Sequence, residues 1–268
     1  MPHVLDMRIA LWQTTPIHDI GDALARLDAT AAVAAQDKAD LLITPEMYLG
    51  GYNIGADEVA AHAARSSEVI AQLAEIAKRH TISLVAGLAL PAPSRPFNGC
   101  IAIDATGAEL CRYAKTHLFG TVDAAQFTAG QALSSTFSLC GLTCSLAICY
   151  DIEFPELARA LTLAGTDIIL VPTANMAPFD SVATRLVAAR AEENAVYVAY
   201  ANYVGAEGTF TYNGLSCLCG PDGRDLLRGG TDTPELLYAD INRSALDRAR
   251  AAQTHLADRR PDLYGGLS

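Results

Sequence analysis

Strand-like and helix-like segments alternate along almost the whole sequence, and this alternation limits the possible folds more than any other feature. The apolar run 7–13 predicts a first strand, and the alanine-rich run 22–38, with apolar residues at helical spacing, predicts a helix. Further strands are predicted at 41–44, 81–90, 98–104, up to Tyr113, 135–139, 143–148, 167–171, 196–202, 214–219 and 236–241, and further helices at 57–80, 153–165, 180–194 and 243–257. Strands separated by helices, with several hairpins among them, predict an α/β fold with mixed sheets.

No linker, composition shift or internal repeat divides the chain, so we expect a single domain spanning 1–268. With 51% hydrophobic residues, a chain of this length can form a large core. No stretch approaches the roughly 20 uninterrupted apolar residues of a membrane helix. The first ten residues lack a basic segment followed by an apolar one. We therefore expect neither a membrane span nor a signal peptide.

Net charge and cysteine content restrict the kinds of partner and the cellular compartment that we expect for this protein. A formal net charge of -11 disfavours nucleic acids and anionic membranes as partners, because both are bound mainly through basic patches. The seven cysteines are an odd number at irregular spacing, which favours free thiols in a reducing compartment, and we expect the cytoplasm. Cys217 and Cys219 alternate on a predicted strand without histidines nearby, so we expect them to pack in the core and to bind no metal.

Cys149 lies where an apolar strand ends and a charged turn begins, in S-L-A-I-C-Y-D-I-E-F-P-E. The predicted helix that follows has Pro155 in its first turn, where proline is tolerated. A strand, turn and helix in this order present a thiol beside backbone N–H groups that can stabilise an oxyanion. In isolation, however, a cysteine at a strand end is more often a small buried apolar residue.

Two other strand ends carry charged side chains. Glu46 follows the strand in L-L-I-T-P-E, where it is either a catalytic carboxylate or the cap of a turn. Lys115 follows the strand that ends near Tyr113, in a chain with only three lysines against sixteen arginines. A lysine at that place suggests a need for a compact cationic donor. A carboxylate, an ammonium and a thiol at three strand ends together indicate hydrolytic chemistry.

The order and context of these three residues resemble the nitrilase superfamily of carbon–nitrogen hydrolases. The resemblance rests on P-E-M, Y-x-K-T-H-L-F-G and C-Y-D-I-E-F-P-E, and on the later motifs V-P-T-A-N-M, R-A-x-E-N, Y-A-N-Y, G-P-D-G and R-R-P-D-L-Y. It implies a four-layer α-β-β-α sandwich of two mixed sheets flanked by helices. It also implies a Cys-Glu-Lys mechanism without cofactor or metal, and a homodimer or larger homo-oligomer.

The resemblance also implies roles for the site residues. Glu46 is the general base, Cys149 the nucleophile, and Lys115 holds the oxyanion together with the backbone N–H of Tyr150. The family carries a second acidic residue, usually glutamate, eight or more positions beyond the lysine. Asp123 occupies that position here and is one methylene shorter. The alternative interpretation of Asp123 is a solvated loop residue.

The residues after Cys149 indicate the substrate class. By resemblance, Tyr150 and Asp151 are the amidase-like version of a pair that is Trp-Glu in true nitrilases. Branches acting on carboxylate-bearing substrates often have arginine three or four residues past the cysteine, where Ile152 and Glu153 stand here. We therefore expect neutral or amine-bearing amides as substrates. The alternative for Glu153 is simply a favourable position at a helix N-terminus.

The motifs are most similar to aminovaleramide amidases and R-stereoselective amidases. They predict hydrolysis of a small aliphatic primary amide, such as 5-aminovaleramide, through a cysteine thioester. The alternatives are an N-carbamoyl-amine hydrolase or an ω-amidase of the same superfamily. A non-enzymatic scaffold is a remote third, because all three members of the triad are present.

Pocket residues are less clear from the sequence. By resemblance, Tyr52, Asn175 and Met176 lie at the mouth of the site and contact substrate, although apolar residues near strand ends more often only pack in the core. Glu207 is either a contact for a substrate amine at the rim or a turn residue. His117 is predicted to be a structural histidine and not a base.

Overall fold

The structure is a computed structural model, and it describes residues 6–264. The strands are β1 (Asp6–Gln13), β2 (Leu41–Ile43), β3 (Ser83–Leu90), β4 (Phe97–Ile103), β5 (Glu109–Ala114), β6 (Phe137–Leu139), β7 (Leu142–Leu146), β8 (Ile168–Pro172), β9 (Tyr197–Ala201), β10 (Val204–Glu207), β11 (Phe210–Asn213), β12 (Cys217–Cys219), β13 (Asp225–Arg228) and β14 (Glu235–Asn242). The helices are α1 (Ile20–Gln36), α2 (Ala56–Ala64), α3 (Ser66–His80), α4 (Gly120–Gln126), α5 (Pro155–Leu163), α6 (Val187–Asn194), α7 (Arg243–Ala252) and α8 (Pro261–Tyr264).

Two mixed six-stranded sheets form the framework. The first has the order β14-β1-β2-β3-β4-β5 and the second the order β13-β12-β9-β8-β7-β6. Each sheet has three parallel strands at its centre, β1-β2-β3 in the first and β7-β8-β9 in the second, and antiparallel strands outside them. The carboxyl ends of the parallel strands therefore share one edge in each sheet.

Alternating side chains divide the interior into three apolar layers. In β1, Ile9 packs between the two sheets, whereas Ala10 packs on the opposite face with residues of α1 and α3. In β8, Ile168 packs between the sheets, whereas Ile169 packs with residues of α5 and α6. Because successive side chains of a strand point to opposite faces, each sheet has one face toward the other sheet and one toward helices. The predicted α-β-β-α sandwich of two mixed sheets is confirmed.

Several predicted elements have different bounds. The helix predicted over 57–80 is two helices, which meet at Arg65 with a ψ near 0°. The helix predicted from residue 153 begins at Pro155, after a 3₁₀ turn over Cys149–Glu153. The hairpin β10–β11 was not predicted, since Gly205 and Gly208 interrupt its apolar pattern.

Candidate active site

The two sheets meet at one edge through their strand ends. Glu46 follows β2 of the first sheet, and Cys149 follows β7 of the second. The N–H of Glu46 donates to the carbonyl of Thr173, which follows β8 of the second sheet, at 3.2 Å. Lys115 follows β5 at the edge of the first sheet. The fold thus brings together the three strand ends that the sequence singled out.

Lys115 forms a buried ionic cluster with two carboxylates. Its Nζ lies 2.7 Å from Glu46 Oε1 and 2.8 Å from Asp123 Oδ2, and all three side chains are 0% exposed. Asn98 Nδ2 donates to the same Glu46 oxygen at 2.6 Å, and the Phe119 N–H donates to Asp123 Oδ2 at 2.8 Å. Asp123 is therefore not a solvated loop residue, and its shorter side chain reaches Lys115 from helix α4.

The cluster keeps the lysine charged. Burial alone lowers the pKa of Lys115, but the carboxylates of Glu46 and Asp123 outweigh it and hold that pKa well above its ordinary value. Burial raises the pKa of Glu46, and the neighbouring Lys115 only partly offsets this. The site therefore combines a permanent cation with a carboxylate of increased basicity.

One oxygen of each of the two carboxylates, Glu46 and Asp123, is free to contact a substrate. Within the described part of the chain, Glu46 Oε2 and Asp123 Oδ1 are buried and have no hydrogen-bond partner. Native structures rarely leave buried polar atoms unpaired, and such atoms mark places where another group completes the bonding. These two oxygens and the ammonium of Lys115 offer acceptors and a donor to which an amide group can bond.

Cys149 opens the 3₁₀ turn with an unusual backbone conformation. Its φ is +44°, in the left-handed region that a non-glycine residue rarely adopts. Burial and the nearby Glu46 raise the pKa of its thiol, while Lys115 and the N–H of Ala174 lower it to a lesser extent. The resting thiol is therefore protonated, and nucleophilic attack requires a base. Glu46 is the carboxylate in position to serve as that base.

The predicted oxyanion donor also lies at this turn. Tyr150 is the second residue of the turn, and the first N–H groups of a helical turn have no acceptor within it. The backbone N–H of Tyr150 thus accompanies the thiol of Cys149 at the same N-terminal end. This arrangement suits a developing negative charge on a substrate oxygen.

Asp151, for which the motif predicted no structural role, joins the turn of the nucleophile to the loop of the lysine. Its buried carboxylate accepts hydrogen bonds from Tyr113 Oη (2.8 Å), Thr116 Oγ1 (3.0 Å) and the N–H of His117 (3.0 Å). His117 Nδ1 lies 2.8 Å from it, and the N–H of Ile148 donates at 3.1 Å. His117 is structural, as predicted. Asp151 therefore fixes Cys149 relative to Lys115.

Replacing Asp151 with alanine should lower both stability and turnover. The variant leaves buried donors of two segments without an acceptor, so we expect the free energy of unfolding to fall by about 2–4 kcal/mol. Urea unfolding followed by circular dichroism measures this. Asp104→Ala is the matched control, because Asp104 also accepts loop N–H groups but lies at the surface. Equal effects of the two substitutions would contradict the bridging role.

A cluster of five aromatic rings flanks the nucleophile. His117 stacks on Phe154 with ring centroids 3.9 Å apart, and Phe154 contacts Tyr150 edge-on at 5.0 Å. Phe119 contacts Tyr150 at 5.4 Å and Phe179 at 5.7 Å. Four rings are partly exposed and Phe179 is 41% exposed. This aromatic cluster offers an apolar surface beside Cys149.

The predicted pocket residues have different surroundings. Tyr52 is buried, and its ring centroid lies 5.7 Å from Lys115 Nζ. Asn175 donates its side-chain N–H to the carbonyl of Phe179 at 3.0 Å, and Met176 is buried in the apolar layer under α1 and α3. Tyr52 therefore borders the ionic cluster directly. For Asn175 and Met176 a substrate contact stays a prediction.

The two further carboxylates differ in position. Glu153 ends the 3₁₀ turn and is partly buried, which raises its pKa; Lys115 and then Arg190 lower that pKa to a smaller extent. Glu153 thus lies within electrostatic range of the site. Glu207 was predicted at the rim or in a turn. It ends β10 next to the hairpin turn at 208–209, but it is buried with its oxygens hydrogen-bonded, so it is not a rim residue.

Two features are absent from residues 6–264. No three His, Cys, Asp or Glu side chains in this range are grouped as metal ligands would be. None of the helices in the same range combines the length and apolar content needed to cross a membrane.

Sequence comparison places this geometry among carbon–nitrogen hydrolases. Residues 8–251 match the carbon-nitrogen hydrolase family. The chain is 44% identical over 272 residues to a protein of Pseudomonas protegens described as "Hydrolase in pqqF 5'region", with 99% of this chain and 93% of that protein covered. It is 31% identical to an (R)-stereoselective amidase from a Pseudomonas species, with 91% and 89% covered.

Structural comparison gives the same result. An amidase from Nesterenkonia sp. superposes with a TM-score of 0.89 at 35% identity, with 98% of this chain and 96% of that chain covered. Other structures of that amidase contain butyramide, or an acetamide moiety added covalently at its active-site cysteine. The similarity extends over nearly the full length of both chains, so it includes the strand ends that form the site.

Proposed function

Since the chain belongs to the carbon–nitrogen hydrolase family and is an amidase of the nitrilase superfamily, we propose that it hydrolyses small aliphatic primary amides, neutral or amine-bearing, through a cysteine thioester. One observation carries the proposal. The buried cluster of Lys115 with Glu46 and Asp123 lies beside the protonated thiol of Cys149. A base, a fixed cation and a nucleophile are the groups that acyl transfer needs.

Acylation uses Glu46 twice. Glu46 takes the proton of the Cys149 thiol as sulfur bonds to the amide carbon, and the carbonyl oxygen becomes an oxyanion held by Lys115 and the N–H of Tyr150. When this tetrahedral intermediate collapses, the carbon–nitrogen bond breaks and Glu46 returns the proton to the leaving nitrogen. Ammonia departs and the acyl group remains on sulfur as a thioester. Asp123 keeps Lys115 charged and in place throughout.

Deacylation repeats the cycle with water. Glu46 takes a proton from the water as its oxygen attacks the thioester carbon, and the same donors hold the new oxyanion. The carbon–sulfur bond then breaks, the carboxylic acid leaves, and the sulfur of Cys149 recovers its proton. Each turnover consumes one amide and one water and releases one acid and one ammonia.

The charges around the site favour neutral and amine-bearing acyl groups. Two carboxylates already neutralise Lys115, and Glu153 adds negative charge nearby. Arg190 donates to the carbonyls of Ile152 and Glu153 and to the Glu193 carboxylate, so it is not a free clamp for a substrate carboxylate. The aromatic cluster supplies an apolar surface for the aliphatic chain. An ω-amidase substrate, which carries a free carboxylate in addition to its amide, fits this site poorly.

Ammonia release from a matched amide panel tests the proposal. The panel holds 5-aminovaleramide, butyramide, an amino-acid amide, glutaramate and N-carbamoylputrescine. We expect 5-aminovaleramide and butyramide to be turned over well above glutaramate. A preference for glutaramate would overturn the assignment of the pocket, and a preference for N-carbamoylputrescine would favour a carbamoyl-amine hydrolase.

Replacing Glu153 with glutamine should affect amine-bearing substrates selectively. If its carboxylate attracts the substrate ammonium, kcat/KM for 5-aminovaleramide should fall about tenfold, because charge-assisted hydrogen bonds contribute more than neutral ones. Butyramide, which has no ammonium, should be hydrolysed within about twofold of wild type. Glu156→Gln is the matched control, since Glu156 is an exposed residue on α5. Equal losses on both substrates would show that Glu153 acts only on local structure.

Three further sequence-based expectations stay predictions. These are a single domain over 1–268, a homodimer or larger homo-oligomer, and a cytoplasmic location. The domain prediction also includes residues 1–5 and 265–268, which lie outside the described residues.

A further inference from the structure

Glu207 is a buried carboxylate that the proposed reaction does not use. Its Oε1 accepts a hydrogen bond from the N–H of Tyr52 at 3.1 Å and lies 3.1 Å from His18 Nε2. Its Oε2 accepts from the N–H of Asn53 at 2.9 Å and from the hydroxyl of Tyr212 at 2.5 Å. The side chain is 0% exposed. A carboxylate in this setting holds the main chain around it, because the buried N–H of Tyr52 and hydroxyl of Tyr212 would otherwise lose their partner.

The loop of residues 50–53, which Glu207 holds, has a backbone conformation that brings it close to the Glu207 carboxylate. Gly50 and Gly51 precede Tyr52 with φ values of +121° and +99°, a region that favours glycine. A Cβ atom on Gly51 would lie 2.8 Å from Glu207 Oε1. The close approach therefore depends on glycine at position 51. The hairpin β10–β11 thus holds the loop of residues 50–53 in place through the side chain of Glu207.

The loop in turn presents Tyr52 to the ionic cluster. The ring centroid of Tyr52 lies 5.7 Å from Lys115 Nζ, and 6.5 and 6.2 Å from the ring centroids of Phe127 and Phe210. Burial raises the pKa of Tyr52, and the nearby carboxylates of Asp123 and Glu46 raise it further. Tyr52 therefore borders the cluster of Lys115, Glu46 and Asp123, where the proposed reaction places the substrate amide (the amide pocket), and Glu207 fixes its backbone.

We propose that Glu207 is a positioning residue for this amidase: it acts through the backbone of Tyr52 to set the wall of the pocket beside Lys115 and Asp123, and touches no substrate. The inference rests on the proposed function, because it assigns the pocket of that same reaction. The hairpin β10–β11 would then serve the site from outside the two large sheets.

A double-mutant cycle with Glu207→Gln and Tyr52→Leu tests the inference. Glutamine keeps the size of the side chain but replaces one acceptor oxygen with an N–H₂ group that faces donors. We expect kcat/KM for butyramide to fall about tenfold, mainly through KM, because the pocket wall shifts. In the Tyr52→Leu background, where no ring remains to be positioned, Glu207→Gln should change KM by less than about twofold.

A merely structural role predicts other results. Glu207→Gln would then lower the melting temperature without changing KM, or its effect on KM would appear in full in the Tyr52→Leu background. Either outcome overturns the inference. Glu235→Gln is the matched control, since Glu235 also accepts a backbone N–H, from Gly230, but does so at the surface. It should leave the kinetics unchanged.

A binding measurement separates this inference from the proposed function. In a Cys149→Ala background, the dissociation constant of butyramide, measured by ligand-detected NMR, should rise about tenfold on adding Glu207→Gln. An unchanged dissociation constant contradicts the inference even if the wild type hydrolyses amides. Absence of amide turnover by the wild type, together with weakened binding in the double variant, contradicts the proposed function and leaves the positioning role supported.

Discussion

Replacing Cys149 with alanine is expected to abolish ammonia release, with kcat lower by a factor on the order of 10⁴ or more. The variant removes the thiol that lies beside Glu46 and Lys115, so no thioester can form at position 149. Initial rates on butyramide or 5-aminovaleramide measure the loss. Circular dichroism should show an unchanged fold, because alanine is smaller than cysteine and adopts a φ of +44° with similar strain.

Cys140 provides a matched control for this variant. It is also a free, partly buried cysteine with a left-handed backbone, at a φ of +49°, and it lies in the turn between β6 and β7. Cys140→Ala should keep turnover within about twofold of wild type, since substitutions away from special features have small effects. If Cys149→Ala retained turnover, or if Cys140→Ala lost it equally, Cys149 would not be the nucleophile.

Replacing Lys115 with methionine should remove both activity and much of the stability. The variant leaves the buried carboxylates of Glu46 and Asp123 facing each other without their cation. Breaking a buried ionic group by removing one partner is strongly destabilising, and we expect the free energy of unfolding at pH 7 to fall by about 3–5 kcal/mol. The oxyanion also loses its charged donor, so turnover should be undetectable.

The destabilisation should depend on pH with a defined sign. Without Lys115, repulsion and burial raise the pKa of one carboxyl in the folded state above its unfolded value. Protonation of this carboxyl stabilises the folded variant. That stabilisation is fully present below the pKa of the carboxyl in the unfolded state, and it is lost as the pH rises through its pKa in the folded state. The difference in the free energy of unfolding between wild type and Lys115→Met should therefore be larger at pH 7 than at pH 5 in urea unfolding experiments.

Lys78 is the matched control for the lysine substitution. Its Nζ lies 2.9 Å from Glu75 Oε1, but both side chains are at least half exposed. Exposed ion pairs contribute about 0–1 kcal/mol, so Lys78→Met should be nearly neutral at both pH values. A Lys115→Met variant as stable as Lys78→Met would mean that the buried cluster does not hold this edge of the fold together.

The sequence pointed to the strand ends, and the structure brings three of them together. Glu46, Lys115 and Cys149 follow apolar strands whose periodicity is visible locally, and Asp123 came from a family resemblance. Asn98 was not found, although a polar residue inside a strand is uncommon and was a possible signal. Its bond to Glu46 spans 52 residues and depends on the pairing of β3 with β4. Local periodicity carries no such information.

The turn after β7 was the least predictable part of the site. The acidic and apolar residues after Cys149 predicted a helix from residue 153, whereas the chain first forms a 3₁₀ turn. That turn is held by Asp151, whose partners Tyr113, Thr116 and His117 are 34–38 residues away in the chain. A left-handed φ at Cys149 is fixed by these tertiary contacts and not by the preference of cysteine itself.

The general base and the nucleophile belong to different sheets. Glu46 follows a strand of one sheet and Cys149 a strand of the other, so the apolar layer between the sheets and the bond from Glu46 to Thr173 contribute to their spacing. Residues such as Ile9 and Ile168, deep in that layer, thus become determinants of turnover. A cavity-forming substitution there would let the two sheets shift relative to each other and so displace Glu46 from Cys149. Activity would then be lost under conditions in which the chain is still folded.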